Sequence, residues 1–152
     1  MSPTTPPDEN STILSILKDS RVIAVVGLSP KPERDSHHVA EYLQQQGYRI
    51  VPVNPTAADQ TILGERCWRS LSEAAEHHRI DTVDVFRNSA DVPPIADEAI
   101  AIGAQALWLQ LGVQNDAACE RARAAGLQVV QNHCALVEHQ RLVAAGKLPK
   151  AV

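Results

Sequence analysis

The stretch VIAVVGLSPKPERDSHHVAEYL, residues 22–43, decides the fold. It opens on a nearly continuous, β-branched apolar run, the pattern of a strand buried on both faces. Gly27 ends that run. An amphipathic helix follows over residues 36–46, with Val39, Tyr42 and Leu43 on one face and Gly47 at its C-terminal stop. Strand, glycine turn and helix in this order form the phosphate-binding entry to a dinucleotide fold. Two of the three expected glycines are missing, however, and Ser29 and Pro32 stand near their places.

Working outward, strands alternate with helices along the chain. A short helix over residues 12–20, capped by Asn10 or Ser11, precedes the first strand. Residues 49–53 form a second strand, stopped by Asn54-Pro55. The stretch TAADQTILGERCW is irregular, with a short extended piece around Cys67. Ser70 caps a helix over residues 71–78. The third strand spans residues 82–86. Asp91 caps a helix through Ile102, with Pro93 and Pro94 in its first turn, where missing N–H groups cost little. Residues 106–110 are a fourth strand, 115–125 a helix closed by Gly126, and 127–130 a fifth strand. The last helix covers residues 135–145, followed by a frayed GKLPKAV. This alternation predicts a three-layer, doubly wound α/β domain of Rossmann type, with a five-stranded, mainly parallel sheet. The expected strand order is 3-2-1-4-5. The domain spans residues 11–146, between tails at 1–10 and 147–152.

Composition narrows the function. The 152 residues suit one domain with a real core. A net charge of −4 and 3% aromatic residues disfavour a general nucleic-acid binder. No apolar stretch is long enough to span a membrane. MSPTTPPDENS has neither a basic region nor an apolar core and is not a signal peptide. The three cysteines, Cys67, Cys119 and Cys134, make no C-x-x-C pair and fit a reduced, cytoplasmic setting.

In a doubly wound sheet the ligand sits beyond the carboxyl ends of the strands. Those ends carry Gly27, Ser29, Asn54, Arg87 and Gln110, which form a polar edge on an apolar sheet. In the first loop Gly27 permits close backbone approach, and the helix end favours an anion. Ser29 adds a hydroxyl, Lys31 and Arg34 add positive charge, and Pro30 and Pro32 stiffen the loop. Classical NAD binding needs an acid at the end of the second strand. The chain has Asn54-Pro55 there, so NAD is disfavoured at two positions.

These segments also carry a resemblance. Residues 22–55 (VIAVVGLSPKPERDSHHVAEYLQQQGYRIVPVNP) and 62–68 (ILGERCW) resemble the small bacterial and archaeal CoA-binding proteins. So do residues 84–113 (DVFRNSADVPPIADEAIAIGAQALWLQLGV) and 125–142 (AGLQVVQNHCALVEHQRL). These are stand-alone Rossmann domains similar to the CoA-binding domain of the succinyl-CoA synthetase α subunit. The resemblance covers residues 13–142. It implies that the loop from Gly27 through Leu28, Ser29, Pro30 and Lys31 to Arg34 cradles the CoA diphosphate. It places Val53, Asn54 and Pro55 beside the adenosine. It sets Phe86 and Arg87, with Pro93-Pro94, along the adenine or pantetheine side, and Gln110, Leu111 and Gly112 against the pantetheine arm. Lys31, Arg34 and Arg87 are its candidates for the diphosphate or the 3′-phosphate. Leu28 replaces a more usual alanine and threatens to crowd the loop. QNHC departs from the charged residue that many relatives have before the cysteine.

The expected function is therefore non-catalytic binding of CoA or an acyl-CoA as a small-molecule ligand. The alternatives are a nucleotide-dependent enzyme using NAD(P), or a subunit of a CoA-transferring complex. A ligase of the synthetase type needs a phosphorylated histidine on a second domain and an ATP-grasp partner, and this length holds neither. His133, Cys134, Glu138 and His139 read as structural, with Cys134 packed. His37, His38, His77 and His78 read as helix-surface residues, with His37 or His38, at the start of the helix after the phosphate loop, the alternative ligand contact. Trp68 and Trp108 read as core or interface residues. The spacing offers no metal-ligand set.

Overall fold

A computed structural model describes residues 8–150. The elements run α1 (Glu9–Asp19), β1 (Val22–Val26), α2 (Asp35–Gln45), β2 (Arg49–Val53), β3 (Thr61–Ile62), β4 (Glu65–Arg66), α3 (Leu71–Ala75), β5 (Thr82–Val85), α4 (Val92–Ala101), β6 (Ala106–Leu109), α5 (Asp116–Ala124), β7 (Gln128–Val130) and α6 (Ala135–Ala144). Five strands form one parallel sheet in the order β2-β1-β5-β6-β7. The α/β class, the three layers and the five parallel strands stand as expected.

β1 shows why the apolar run reads as doubly buried. Ala24 and Val26 face a core built with α3, α4 and α5. Ile23 and Val25 face the opposite core, built with α1, α2 and α6. The helices cover both faces because successive side chains of a strand point opposite ways.

The strand order corrects one expectation. Counted along the chain, the five strands lie 2-1-3-4-5, not 3-2-1-4-5. The reason lies at the outer edge of β2, where a third strand would have paired. The Trp68 backbone already occupies it: Trp68 N–H donates to Pro52 O at 2.9 Å, and Asn54 N–H donates to Trp68 O at 2.9 Å. The irregular stretch is in fact a small antiparallel hairpin, β3 with β4, leading into this strap. β5 then crosses to the free side of β1. The switch point, where crossovers leave in opposite directions, lies between β1 and β5.

Smaller corrections concern the ends. α1 starts at Glu9, with Asp8 rather than Asn10 or Ser11 at its N-cap, so residues 9 and 10 belong to the domain. Residues 1–7 of the expected tail lie outside the described residues. Leu148 is buried in the α1–α2–α6 core, because Lys147 N–H bonds Leu142 O and folds the chain back. The segment after α6 is therefore not simply frayed. Asp91 stands at the N-cap position of α4 as expected, but its side chain makes no capping hydrogen bond; it faces Arg87 at 3.6 Å, and a single 3-10 turn leads into the helix. Ser70 caps α3 as expected, and Asn115 caps α5.

Candidate functional site

The carboxyl ends of β1, β2, β5 and β6 open onto one edge, and the loops there are held by specific bonds. Gly27 has φ +89, and a Cβ on it would stand 2.3 Å from Phe86 O and 3.1 Å from Arg87 Cδ. Only a glycine lets the first loop pass this close to β5 and lie beneath the Arg87 side chain. Ser29 N–H donates to Ser36 Oγ at 3.0 Å, and Lys31 N–H donates to Ser29 Oγ at 3.1 Å. Asn54 Nδ2 donates to Leu28 O at 3.0 Å, while its Oδ1 accepts from Thr56 N–H and from the Thr56 hydroxyl. The loop after β1 is thus tied both to α2 and to the loop after β2.

Two cavities flank this loop. One, of about 620 Å³, is lined by Gly27, Ser29, Pro30, Lys31, Arg34 and Asn54, with Glu33, Asp35, Ser36, Thr56, Ala57 and Phe86. The first N–H groups of α2 lack helical partners, as at any helix start. Two cations and two anions among the lining side chains offset one another. What this cavity offers an anion is therefore the backbone N–H groups and dipole at the start of α2.

The second cavity, about 800 Å³, shares Asp35 and Phe86 with the first. It is lined by His38, Val39, Arg87, Asn88, Gln110, Leu111, Val113, Cys134, Leu136 and Val137. Both volumes fall in the range of small-molecule sites. A third hollow, about 250 Å³, lies on the other side of the sheet edge. It brings Val53 and Pro55 together with Arg69, Arg87 and Pro94.

Most residues picked from the sequence therefore converge, and two do not. Leu28 is fully buried in the α1–α2–α6 core. Its side chain does not crowd the loop, and only its backbone belongs to the site. Gly112 lines none of these cavities; its N–H bonds Asn132 Oδ1 at 2.8 Å and fixes the turn after β6. Among the histidines, His37 is buried rather than on the surface, and His38 lines the second cavity. His139 is buried too, its Nδ1 paired with the Tyr42 hydroxyl at 2.8 Å, and burial pushes its pKa down. His133 lies between Glu9 and Glu138.

Sequence reasoning did not single out Arg69, Asp35, Leu136 or Val137 as lining residues. Arg69 directly precedes the cap of α3, a position that the hairpin sets and that no local pattern announces. Leu136 and Val137 read as ordinary positions of α6. Among the described residues no group of His, Cys, Asp and Glu could hold a metal ion. No helix among them is long and apolar enough to cross a membrane.

A glycine turn against a helix start, opening onto cavities that share lining residues at a switch point, is the place where a Rossmann-type domain holds a small-molecule ligand. The chain belongs to the CoA binding domain family, whose model matches residues 21–140. It is 40% identical over 127 residues to the uncharacterized protein YneT of Bacillus subtilis (strain 168), covering 84% of this chain and 91% of that protein. A hypothetical protein from Pyrococcus horikoshii OT3 superposes with a TM-score of 0.83 at 36% identity, over 94% of this chain and 99% of that one. The Thermus thermophilus structure titled cell-free ID.343 superposes with a TM-score of 0.80 at 34% identity, over 88% and 98%. A CoA-binding role is supported at the level of this family.

Proposed function

We propose that this protein binds CoA or an acyl-CoA as a ligand and is not a multiple-turnover catalyst. The diphosphate sits against the loop at residues 27–36 and the start of α2. The pantetheine arm runs past Phe86 into the 800 Å³ cavity. The adenosine and its 3′-phosphate turn toward the hollow that carries Arg69 and Arg87. One observation carries this reading. Gly27 is pressed against Phe86 O in a loop held by Ser36 and Asn54, at the junction of two contiguous cavities. A loop fixed in advance loses little entropy when an anion docks.

The rival reading, an NAD(P)-dependent enzyme, finds less support. Its ribose diol needs a carboxylate at the end of β2. Asn54 stands there, and its amide is already engaged by Leu28 O and Thr56.

Calorimetric titration with CoA, 3′-dephospho-CoA and NAD tests the reading. Micromolar CoA binding, lost in Arg34→Glu and weakened at least tenfold without the 3′-phosphate, is the expected result. NAD binding in place of CoA would overturn it.

A further inference from the structure

The far end of the 800 Å³ cavity contains chemistry that ligand retention does not use. Gln110 is only 4% exposed. Its Oε1 accepts from Ala135 N–H at 3.1 Å, which fixes the orientation of the amide. The Nε2 end has no hydrogen-bond partner among the described residues, and Gln110 lines the cavity. This amide donor is therefore open to the cavity, where a ligand oxygen can meet it.

Beside it stands Cys134, the N-cap residue of α6, half-buried and lining the same cavity. Leu136 and Val137, whose first-turn N–H groups have no helical partners, line it as well. A thiol, an amide donor and a helix N-terminus thus converge in a cavity whose other walls combine Val39, Phe86, Leu111 and Val113 with the polar Asp35, His38, Arg87 and Asn88. The other two cysteines differ in access: Cys67 and Cys119 are fully buried, and neither lines this cavity.

We propose that Cys134 accepts the acyl group of a bound acyl-CoA by thioester exchange, an inference that rests on the binding reading above. The Cys134 sulfur forms a bond to the acyl carbon as the bond from that carbon to the CoA sulfur breaks. The thiol proton passes through the open cavity, where His38 supplies an imidazole, to the departing CoA thiolate. No oxidant or further reactant is needed. Gln110 Nε2 and the start of α6 offer donors to the carbonyl oxygen as negative charge gathers on it. Val39, Phe86, Leu111, Val113, Leu136 and Val137 provide an apolar lodging for the chain. The ligand class favoured is a medium-chain acyl thioester, and the protein is a stoichiometric acceptor.

The test incubates the full chain with hexanoyl-CoA, removes free ligand and weighs the intact protein. The expected result is one hexanoyl group per chain, removed by neutral hydroxylamine and mapped to Cys134. It is absent in Cys134→Ala, provided that variant melts and shows circular dichroism like the parent. Gln110→Leu lowers the maximal rate at saturating hexanoyl-CoA at least tenfold, which distinguishes positioning from affinity. The N-acetylcysteamine thioester of the same acid, lacking the phosphates, reacts at least tenfold more slowly. Three results overturn the inference alone: hexanoyl-CoA that binds by calorimetry without an adduct, modification of Cys67 or Cys119 instead, and a reducible adduct carrying the whole CoA mass. Absence of any CoA or hexanoyl-CoA binding overturns the binding reading itself, and the inference with it.

Discussion

Gly27 meets two demands at one position: a left-handed backbone and contact with the chain of β5. A methyl group there violates both. Gly27→Ala is expected to cost at least about 2 kcal/mol, combining backbone strain with a clash against a carbonyl that cannot move freely. Urea unfolding measures that cost, and CoA affinity should fall in parallel as the loop is displaced. Asp84 makes a second single-residue case. It is buried in the middle of the sheet, and neither carboxyl oxygen finds a well-formed hydrogen bond. Burial raises its pKa well above the ordinary carboxylate value, with the Val85 backbone pulling weakly the other way. Above pH ~4 the unfolded chain has released this proton while the folded chain keeps it, so this group's contribution to stability falls by about 1.4 kcal/mol per pH unit. The fall ends once pH passes the raised native value. Asp84→Asn should therefore show a flatter pH dependence between pH 4.5 and 8 than the parent. Parallel slopes in urea melts across that range would mean that Asp84 is not the responsible group.

At the scale of elements, the site is a loop held between two neighbours. Asn54 ties the loops after β1 and β2 together, and Ser36 ties the first loop to α2. Asn54→Asp removes the donor to Leu28 O and adds negative charge beside the anion site. It should cost about 1–3 kcal/mol of stability and reduce CoA affinity at least tenfold, by urea melt and calorimetry. Ser36→Ala leaves the Ser29 N–H unpaired and should cost about 1 kcal/mol, measured the same way. The parts of the site that the sequence revealed are those encoded within a few residues: the glycine turn, the serine and cations of its loop, the ends of β2, β5 and β6. Leu28 was misread because a side chain next to a tight turn can point either inward or outward, and long-range packing decides which. Asp91 holds the N-cap position without a capping bond because its backbone is already helical, at the end of a 3-10 turn, where an N-cap residue is normally extended.

For the whole molecule, alternation and burial pattern were enough to give the class, the layers and the parallel sheet. The strand order was not legible, because it depends on which edge of β1 the third strand reaches. The deciding contact, the Trp68 strap on β2, lies in a stretch without clear periodicity. Ligand linkage is also a property of the entire fold. CoA at a hundred times its dissociation constant should stabilise the folded state by about 2.7 kcal/mol, or roughly 5–10 °C in melting temperature for a domain of this size. Thermal melts with CoA and NAD would show it, with the larger shift expected for CoA.

The Trp68 strap has a consequence for how molecules of this protein meet. An unpaired strand at a sheet margin invites the same strand of another molecule to dock on its N–H and C=O groups. On the β2 side those groups are partly taken up by the backbone of Trp68, whose indole is anchored by stacking on His77 and by the Arg66 guanidinium over its ring. The opposite margin, β7, is three residues long and offers little to a neighbour. Association between copies by sheet extension is thus discouraged at both margins.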